Sequence, residues 1–374
     1  MSIVVAAIFA GLELTGVLTG WLSLGIDFLP LRSAAQALAH GSPVFGDPSF
    51  VYPPTAAVVL LPLALGEVTT AFIGWVLAGA AAMVLAAVLV ARAAPVRWRT
   101  VVLGVALLGL LGSLIASRSL YLGNLSELLV PVAVGTLLCF HRGRWVLGCA
   151  LLAASLLVKP LLAPLILVPL LHRRWSALAR TMLPGGALLL LSMVLVPGGT
   201  DFPSVLRYCL GGTNLHGANA LNNLSLRGWA EWHQVPHLIG VLASVVVLGV
   251  GAAVAGRRLR GGNRPDPVWL GNVVLLTTFL AGRISEVHFL LVVLATVLLQ
   301  VVLRPMPRRV AVRFLPGLLL LALPASYLPL LLGRANDGQT WLVTAEVLLL
   351  GALLTVPVRD PVPAEDAVTV LVAT

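Results

Sequence analysis

Charged residues are scarce in this sequence. Only 10% of its 374 residues are Asp, Glu, Lys or Arg, whereas a soluble domain usually carries about 25%. Hydrophobic residues make up 59% of the chain. This is more apolar surface than one globular core buries, so we expect lipid to be the surrounding solvent. The composition therefore argues against an ordinary soluble enzyme and predicts an all-α polytopic integral membrane protein with about 10–12 transmembrane or embedded helices.

Cysteines are few, and nucleotide-binding motifs are lacking. Cys139, Cys149 and Cys209 are odd in number and have no metal-like spacing, which argues against a disulfide framework or a zinc site. Neither G-x-x-x-x-G-K-[ST] nor G-x-G-x-x-G occurs in the chain. We therefore expect no required cofactor and no cytoplasmic nucleotide as the energy source. No cluster of acids indicates a divalent cation, although its participation stays open.

The basic residues indicate how the chain is oriented. They give a net charge of +10 and fall mostly into clusters between apolar runs. The clusters lie at 92–99, 142–144, 173–180, 257–264, 304–313 and 359. By the positive-inside rule these clusters face the cytoplasm of a plasma-membrane protein, and no nucleic-acid partner is expected.

No repeat or linker divides the chain, so we interpret residues 1–360 as one polytopic domain. The orientation then assigns its loops to the two sides of the membrane. It makes 25–54 an external loop with an interfacial helix, 198–236 a second external loop and 361–374 a cytoplasmic tail. The partner common to all spans is the lipid bilayer.

The apolar runs predict where the spans lie. A retained first helix is expected at 3–24, a short embedded helix at 55–65 and a full span at 70–91. Residues 146–171 lie between two basic clusters, so this run should enter and leave on the same side. Lys159-Pro160 would be the bend of that helical hairpin. The alternative is a single long span with one basic cluster outside.

Lys159 is the only lysine in the chain and lies inside an apolar run. A buried ammonium is costly without an anionic partner. One interpretation is a lysine that reaches the interface or pairs with a nearby acid. The other is an anchor for an anionic ligand, since the lysine point charge suits phosphate.

Asp27 is the acid at the outer end of the first predicted span. It is either a cap for the short helix that follows or a general base beside a lipid-bound substrate. Its position in the sequence does not decide between the two.

Further polar residues are predicted on the same outer side. The loop at 198–236 combines amides with tryptophans and is either an ordinary polar loop or a surface for sugar hydroxyls. Arg283, Glu286 and His288 are either a structural ion-pair group or a second substrate-contacting cluster. The full set of candidate substrate-binding residues is Tyr52, Asn124, Asn222, Asn223, Ser225, Arg227, Glu286 and His288.

The order of several motifs resembles glycosyltransferase family 87 over residues 25–300. The motifs are Asp27 after the first helix, FVYPPTAAVVLLPL, Gly-Asn at 123–124, LLVKPLLAPLILVPLLHRRW, LSLRG and RISEVHF. The lysine-containing stretch looks most like the arabinofuranosyltransferase C branch of mycobacteria and corynebacteria. The resemblance implies a GT-C-type fold with a catalytic first external loop.

The resemblance also implies an activity and roles for residues. The chain would be an inverting glycosyltransferase that moves a sugar, arabinofuranosyl by preference, from a polyprenyl-phosphate donor to a cell-envelope glycan or glycolipid outside the membrane. Asp27 would be the catalytic base, and Lys159, with Arg32 or Arg283, would bind the donor phosphate. A mannosyltransferase using polyprenyl-phosphate mannose is the alternative within the family. A transporter or lipid flippase is the alternative of another class, because embedded charge and broken helices also occur there.

Overall fold

A computed structural model of the chain describes residues 25–211, 223–260, 264–283, 285–303, 308–322 and 338–356. The first helix predicted at 3–24 and the tail predicted at 361–374 lie outside these ranges. The α-helices are α1 Phe28–Ala39, α2 Pro54–Val59, α3 Val68–Ala93, α4 Arg99–Leu111, α5 Leu114–Leu122, α6 Ser126–His141, α7 Trp145–Leu156, α8 Leu167–Leu171, α9 Trp175–Leu195, α10 Phe202–Gly211, α11 Leu226–Trp232, α12 His237–Arg260, α13 Pro267–Ala281, α14 Phe289–Leu303, α15 Arg308–Ala322 and α16 Gly338–Leu354. Short 3₁₀ segments occur at Val44–Gly46, Leu61–Ala64, Val96–Trp98, Pro160–Ile166 and Gly199–Asp201.

The fold is all-α and polytopic, as the composition predicted. Within the described ranges, α3, α9 and α12 are each long and apolar enough to cross a membrane. A pair of helices bent by 51°, at 96–111 and 115–122, makes a fourth span if it is counted as one, and seven shorter apolar helices accompany these. Large apolar side chains such as Leu183, Val194 and Val246 are exposed on α9 and α12. Their exposure fits a surface in contact with lipid rather than water.

Three local features that the sequence predicted have counterparts in the structure. The helix expected inside 25–54 is α1, and the short helix expected at 55–65 is α2 with the 3₁₀ segment Leu61–Ala64. Their interfacial and embedded placement remains a prediction. The hairpin expected at 146–171 consists of α7 packed against Pro160–Ile166, with a break at Lys159. Lys159 itself is extended, with φ −153° and ψ 124°, and Pro160 starts the second arm. The side of the membrane on which each loop lies remains a prediction.

The buried core lies where α6, α13 and α14 pack against one another. Trp269 on α13 is fully buried, and its indole N–H donates to the carbonyl of Leu353 on α16 over 2.9 Å. The Asn272 amide donates to the carbonyl of Thr296 over 2.9 Å and ties α13 to α14. These contacts tie α13 to α16 and to α14. The first turn of α6 and the residues just before α14 belong to the site described below.

The turn between α5 and α6 depends on Gly123. This residue ends α5 with a left-handed backbone, φ +67°. A Cβ there would lie 2.7 Å from the Cβ of Phe28 and 3.1 Å from the ring of Phe72. The Gly123 carbonyl also accepts a hydrogen bond from the Trp75 indole over 2.9 Å. Glycine therefore meets a conformational and a steric requirement at the same position.

We expect Gly123→Ala to destabilise the protein more than Gly41→Ala does. Gly41 is also left-handed, with φ +70°, but no atom lies within 4 Å of its missing Cβ. The Gly41 variant should lose only the backbone term, about 1 kcal/mol, and Gly123→Ala roughly 1–3 kcal/mol more from overpacking. Unfolding in mixed micelles titrated with a denaturing detergent measures both variants. Equal losses would show that the contact with Phe28 costs nothing.

Candidate active site

Asp27 lies just before α1, and both its backbone and its side chain are held by hydrogen bonds to the turn between α5 and α6. Its backbone N–H donates to the carbonyl of Leu122 over 3.0 Å, and a Cβ on the neighbouring Gly25 would lie 2.4 Å from the same carbonyl oxygen. The Asp27 carboxylate makes no capping hydrogen bond to α1. Its Oδ2 instead accepts a hydrogen bond of 2.7 Å from the Asn124 amide. The structure thus argues against a helix cap, and the half-buried carboxylate is directed towards Asn124.

Asn124 joins Asp27 to Lys159. Its Nδ2 donates to Asp27, while its Oδ1 accepts a hydrogen bond of 2.8 Å from the Lys159 ammonium. The same Oδ1 accepts from the backbone N–H and the hydroxyl of Ser126, over 3.0 and 2.9 Å. Four hydrogen bonds therefore fix the orientation of this amide. One side chain holds a carboxylate at one end and an ammonium at the other.

Lys159 is buried, with 8% of its surface exposed. Besides Asn124, the ammonium donates to the Ser126 hydroxyl over 2.8 Å, and it lies 5.6 Å from the ring centre of Tyr52 and 5.3 Å from that of Phe289. Among the described residues, no carboxylate lies within 4.0 Å of Nζ. The lysine is therefore directed inwards and not towards the interface. It is a buried charge whose direct partners are neutral, which is costly in the absence of an anion.

His288 lies beside Lys159 at the start of α14. Its Nε2 is 2.7 Å from a carboxylate oxygen of Glu286 and 3.3 Å from the Lys159 ammonium. One ring nitrogen cannot donate to the first and accept from the second in the same tautomer, and the shorter distance favours donation to Glu286. Burial lowers the pKa of His288, the Lys159 charge lowers it further, and Glu286 acts in the opposite direction. A neutral imidazole between the two charges is the expected state.

A short backbone bridge connects the loop 198–236, which is predicted to be external, to the segment that carries His288. Asn223 and Glu286 form an isolated antiparallel bridge, and the Leu224 N–H donates to the Ser285 carbonyl over 2.5 Å. The Asn223 amide donates to the Arg283 carbonyl over 2.8 Å and accepts from the Ser285 N–H over 3.0 Å. The first turn of α11 is thereby fixed to the segment that carries Glu286 and His288.

The geometry therefore brings together a half-buried acid, an amide, a buried ammonium and a histidine from four separate segments. The profile of glycosyltransferase family 87 matches residues 50–282 of this chain. The chain belongs to glycosyltransferase family 87. The resemblance seen in the sequence motifs is confirmed, and the family-87 match includes Tyr52, Asn124 and Lys159.

Two similar proteins from different organisms carry the same name. A Corynebacterium glutamicum protein named alpha-(1->3)-arabinofuranosyltransferase is 24% identical over 277 residues, covering 70% of this chain and 64% of the relative. A Mycobacterium tuberculosis H37Rv protein of the same name is 25% identical over 238 residues, covering 61% of this chain and 55% of the relative. The chain thus spans less than two thirds of the length of these relatives.

Asp27, Glu286 and His288 lie outside the part matched by the family-87 profile. The structure nevertheless connects each of them to a residue inside that part. Asp27 contacts Asn124, and His288 contacts Lys159. The candidate site thus extends the family-87 region at both of its ends.

Other predicted residues lie apart from this cluster or serve its framework. Arg32 donates from one guanidinium nitrogen to the Gly66 carbonyl over 2.7 Å, and its NH1 is buried with no partner among the described residues. The Arg283 side chain is exposed, while its carbonyl accepts from Asn223 and Ser225. The roles of Arg32 and Arg283 in binding a donor phosphate remain predictions.

The candidate residues of the loop 198–236 also serve the framework or lie apart from the cluster. Ser225 is buried, and its hydroxyl caps α11 by accepting from the Gly228 N–H over 3.1 Å. Arg227 is half-buried on the first turn of α11, and Asn222 lies outside the described residues. For Asn223 and Ser225 the structure gives a framework role, and contact with a substrate remains a prediction.

Sequence reasoning missed Ser126, and it placed Glu127 in the same turn as Asn124 without including it among the site residues. Ser126 binds both Asn124 and Lys159, and the neighbouring Glu127 is buried and accepts a hydrogen bond from Ser119. A serine cannot be recognised from the sequence alone as a residue of the site. Glu127 did carry a signal, because an acid within an apolar run is rare and costly.

Proposed function

We propose that the protein is an inverting glycosyltransferase that moves an arabinofuranosyl residue from a polyprenyl-phosphate donor to a hydroxyl of a cell-envelope glycan or glycolipid. One observation carries this proposal. The Asp27 carboxylate and the Lys159 ammonium bind opposite ends of the same Asn124 amide. A base for the acceptor and a cation for the leaving phosphate are thus held one side chain apart.

Asp27 would act on the acceptor. Asn124 occupies its Oδ2 and leaves Oδ1 to take the proton of the attacking hydroxyl. The acceptor oxygen forms a bond to the anomeric carbon as the bond from that carbon to the phosphate oxygen breaks. The bonding pair leaves with the polyprenyl phosphate, so a single displacement inverts the configuration. Because a phosphate departs as an anion, the second carboxylic acid that a glycosidase uses is not required.

Lys159 would act on the donor. The phosphate gains negative charge as it leaves, and a fixed cation in a site with little water stabilises that charge strongly. Lys159 suits this task because its direct partners among the described residues are neutral. A donor phosphate would supply the anion that the buried ammonium lacks. His288, held by Glu286, would limit the space beside it.

The choice of sugar and the sidedness are part of the proposal. The names of the relatives from Corynebacterium glutamicum and Mycobacterium tuberculosis support arabinofuranosyl as the sugar. Decaprenyl-phosphoryl arabinose is the donor that we propose for it. The clusters of arginine support an active site on the extracytoplasmic side and a cytoplasmic C-terminus. Polyprenyl-phosphate mannose is the alternative donor.

The test uses membranes that contain the protein and two labelled donors, polyprenyl-phosphate arabinose and polyprenyl-phosphate mannose. Each donor is offered with arabinan and mannoside acceptors, and Asp27→Ala at matched expression is the control. We expect arabinose transfer that the variant lacks. Mannose transfer alone would assign the alternative sugar. Movement of labelled lipid across the bilayer without any transfer would contradict the proposal and favour a flippase.

A further inference from the structure

Glu127 is a buried acid next to the candidate site with no role in the mechanism above. It is the second residue of α6, is 2% exposed, and follows Ser126, which binds Lys159. It packs on α3, where a Cβ on Gly79 would lie 3.4 Å from the Glu127 Cβ. An ionisable side chain at such a position is expensive, which makes it a candidate for a functional role.

The Glu127 carboxyl binds the last turn of α5. Its Oε1 accepts a hydrogen bond from the Ser119 hydroxyl. Its Oε2 is buried and has no partner in the part of the chain that the structure describes. The bond to Ser119 is thus the specific contact through which this carboxyl acts on its surroundings.

Ser119 in turn holds the segment that presents Asn124. Its carbonyl accepts the N–H groups of Gly123 and Asn124, over 3.0 and 3.4 Å. In the same turn, the carbonyl of Leu122, the residue before Gly123, accepts a hydrogen bond from the Asp27 N–H. Both the backbone and the carboxylate of Asp27 are therefore held by a turn that is anchored to Glu127.

We propose that Glu127 is a positioning residue that fixes the turn 119–124, and through Asn124 the base Asp27, for the reaction proposed above, on which this inference rests. Without Glu127 the Ser119 hydroxyl loses its acceptor and the turn relaxes. A displacement of about 1 Å at reacting groups costs up to roughly 10²-fold in rate. Lys159 belongs to another segment and keeps Ser126 as a partner, so donor binding changes less than turnover.

The experiment compares Glu127→Ala, Glu127→Gln, Ser119→Ala and the double alanine variant. Glutamine retains an oxygen that accepts from Ser119, so it should restore turnover to within about 3-fold of the unaltered protein, a loss below a typical net hydrogen bond. Each single alanine variant should lower kcat per folded molecule by roughly 10- to 100-fold, with the donor KM nearly unchanged. Because both remove the same bond, the double variant should be no worse than the poorer single variant.

Glu346→Ala is the matched control for burial. Glu346 is fully buried on α16, and both carboxylate oxygens have no partner among the described residues. Removing it should leave kcat per folded molecule unchanged. Equal losses in Glu127→Ala and Glu346→Ala would overturn the proposal, as would effects that multiply in the double variant or a Glu127→Ala protein of full activity.

Hydrogen–deuterium exchange separates this proposal from the assignment of the reaction. Peptides covering 119–126 should exchange faster in Glu127→Ala than in Glu346→Ala or Glu127→Gln. If the unaltered protein transfers no sugar, the proposed reaction is wrong, and exchange at this turn still decides whether Glu127 fixes it. If transfer occurs and neither kcat nor exchange responds to Glu127→Ala, only the positioning role is wrong.

Discussion

Asp27→Asn should lower turnover by about 10²- to 10⁴-fold, which is the range that a positioned general base contributes. The substitution keeps the shape of the side chain and an oxygen that accepts from the Asn124 amide. It removes the ability to take a proton from the acceptor hydroxyl. The measurement is initial rate of sugar transfer at saturating donor, with folding checked by thermal unfolding in detergent.

The effect should be confined to the chemical step. Donor binding depends on Lys159 in this scheme, so the donor KM should stay within about 3-fold, since Asn124 keeps its orientation. Asp47→Asn is the control, because Asp47 lies in the same predicted external loop, is half-buried and accepts from the Ser49 N–H over 2.9 Å. That variant should retain full turnover.

Retained turnover in Asp27→Asn would assign the base elsewhere. Glu286 would then be the next acid to test, because 41% of its side chain is exposed and it lies beyond His288 from Lys159. The two acids approach the lysine through different neutral partners, Asn124 and His288. The comparison of Asp27→Asn with Glu286→Gln therefore distinguishes the two sides of the site.

Hydropathy was sufficient to predict several of the helices. Apolar runs over 55–65 and 70–91 correspond to α2 with its 3₁₀ segment and to α3, because a membrane helix must satisfy its own backbone hydrogen bonds. The break at Lys159-Pro160 was predictable as well, since proline cannot continue a helical ladder. These features are local, and each depends on residues near one another in the sequence.

Contacts inside the site were predictable only in part. Lys159 was identifiable because it is the single lysine of the chain and lies in an apolar run. Arg32 carries the same charge, but its guanidinium binds the Gly66 carbonyl, a contact 34 residues away in sequence. Residue type alone could not show which of the two cations lies beside Asn124.

Serine residues show the limit of the sequence most clearly. Ser126 binds Lys159, 33 residues away, and Ser119 binds Glu127 across the turn between α5 and α6. Hydroxyl groups are common on helices and have no periodicity that marks them as partners of a charge. Their role arises only when the break at Lys159 and the left-handed Gly123 bring the segments together.

The second large effect is expected for Lys159→Met. Removing the cation should lower transfer by roughly 10²- to 10³-fold, the loss seen when one preorganised group that stabilises developing negative charge is deleted. Both kcat and the donor KM should change, because the phosphate is bound in the ground state and gains charge in the transition state. Transfer rates over a range of donor concentrations, with one fixed acceptor, measure the two constants.

The Lys159→Met protein should fold. Asn124 Oδ1 keeps its two hydrogen bonds from Ser126, and His288 Nε2 keeps Glu286, so the substitution leaves these groups with partners. It also removes a buried charge that has no carboxylate within 4.0 Å among the described residues. Replacing such a charge by an apolar side chain of similar length is often neutral or stabilising. Thermal unfolding should therefore occur at the same temperature or higher.

Lys159→Arg tests whether charge alone is enough. A guanidinium restores the positive charge, but its planar fork does not reproduce a point charge that donates to Asn124 and Ser126 at 2.8 Å each. We expect low transfer in this variant, with a donor KM between those of the methionine variant and the unaltered protein. Unchanged donor binding in both variants would mean that Lys159 does not bind phosphate. Its positive charge would then stabilise the folded protein by offsetting the negative charges of Asp27 and Glu286. The combination of lower stability with a normal donor KM in Lys159→Met would support that contrary role directly.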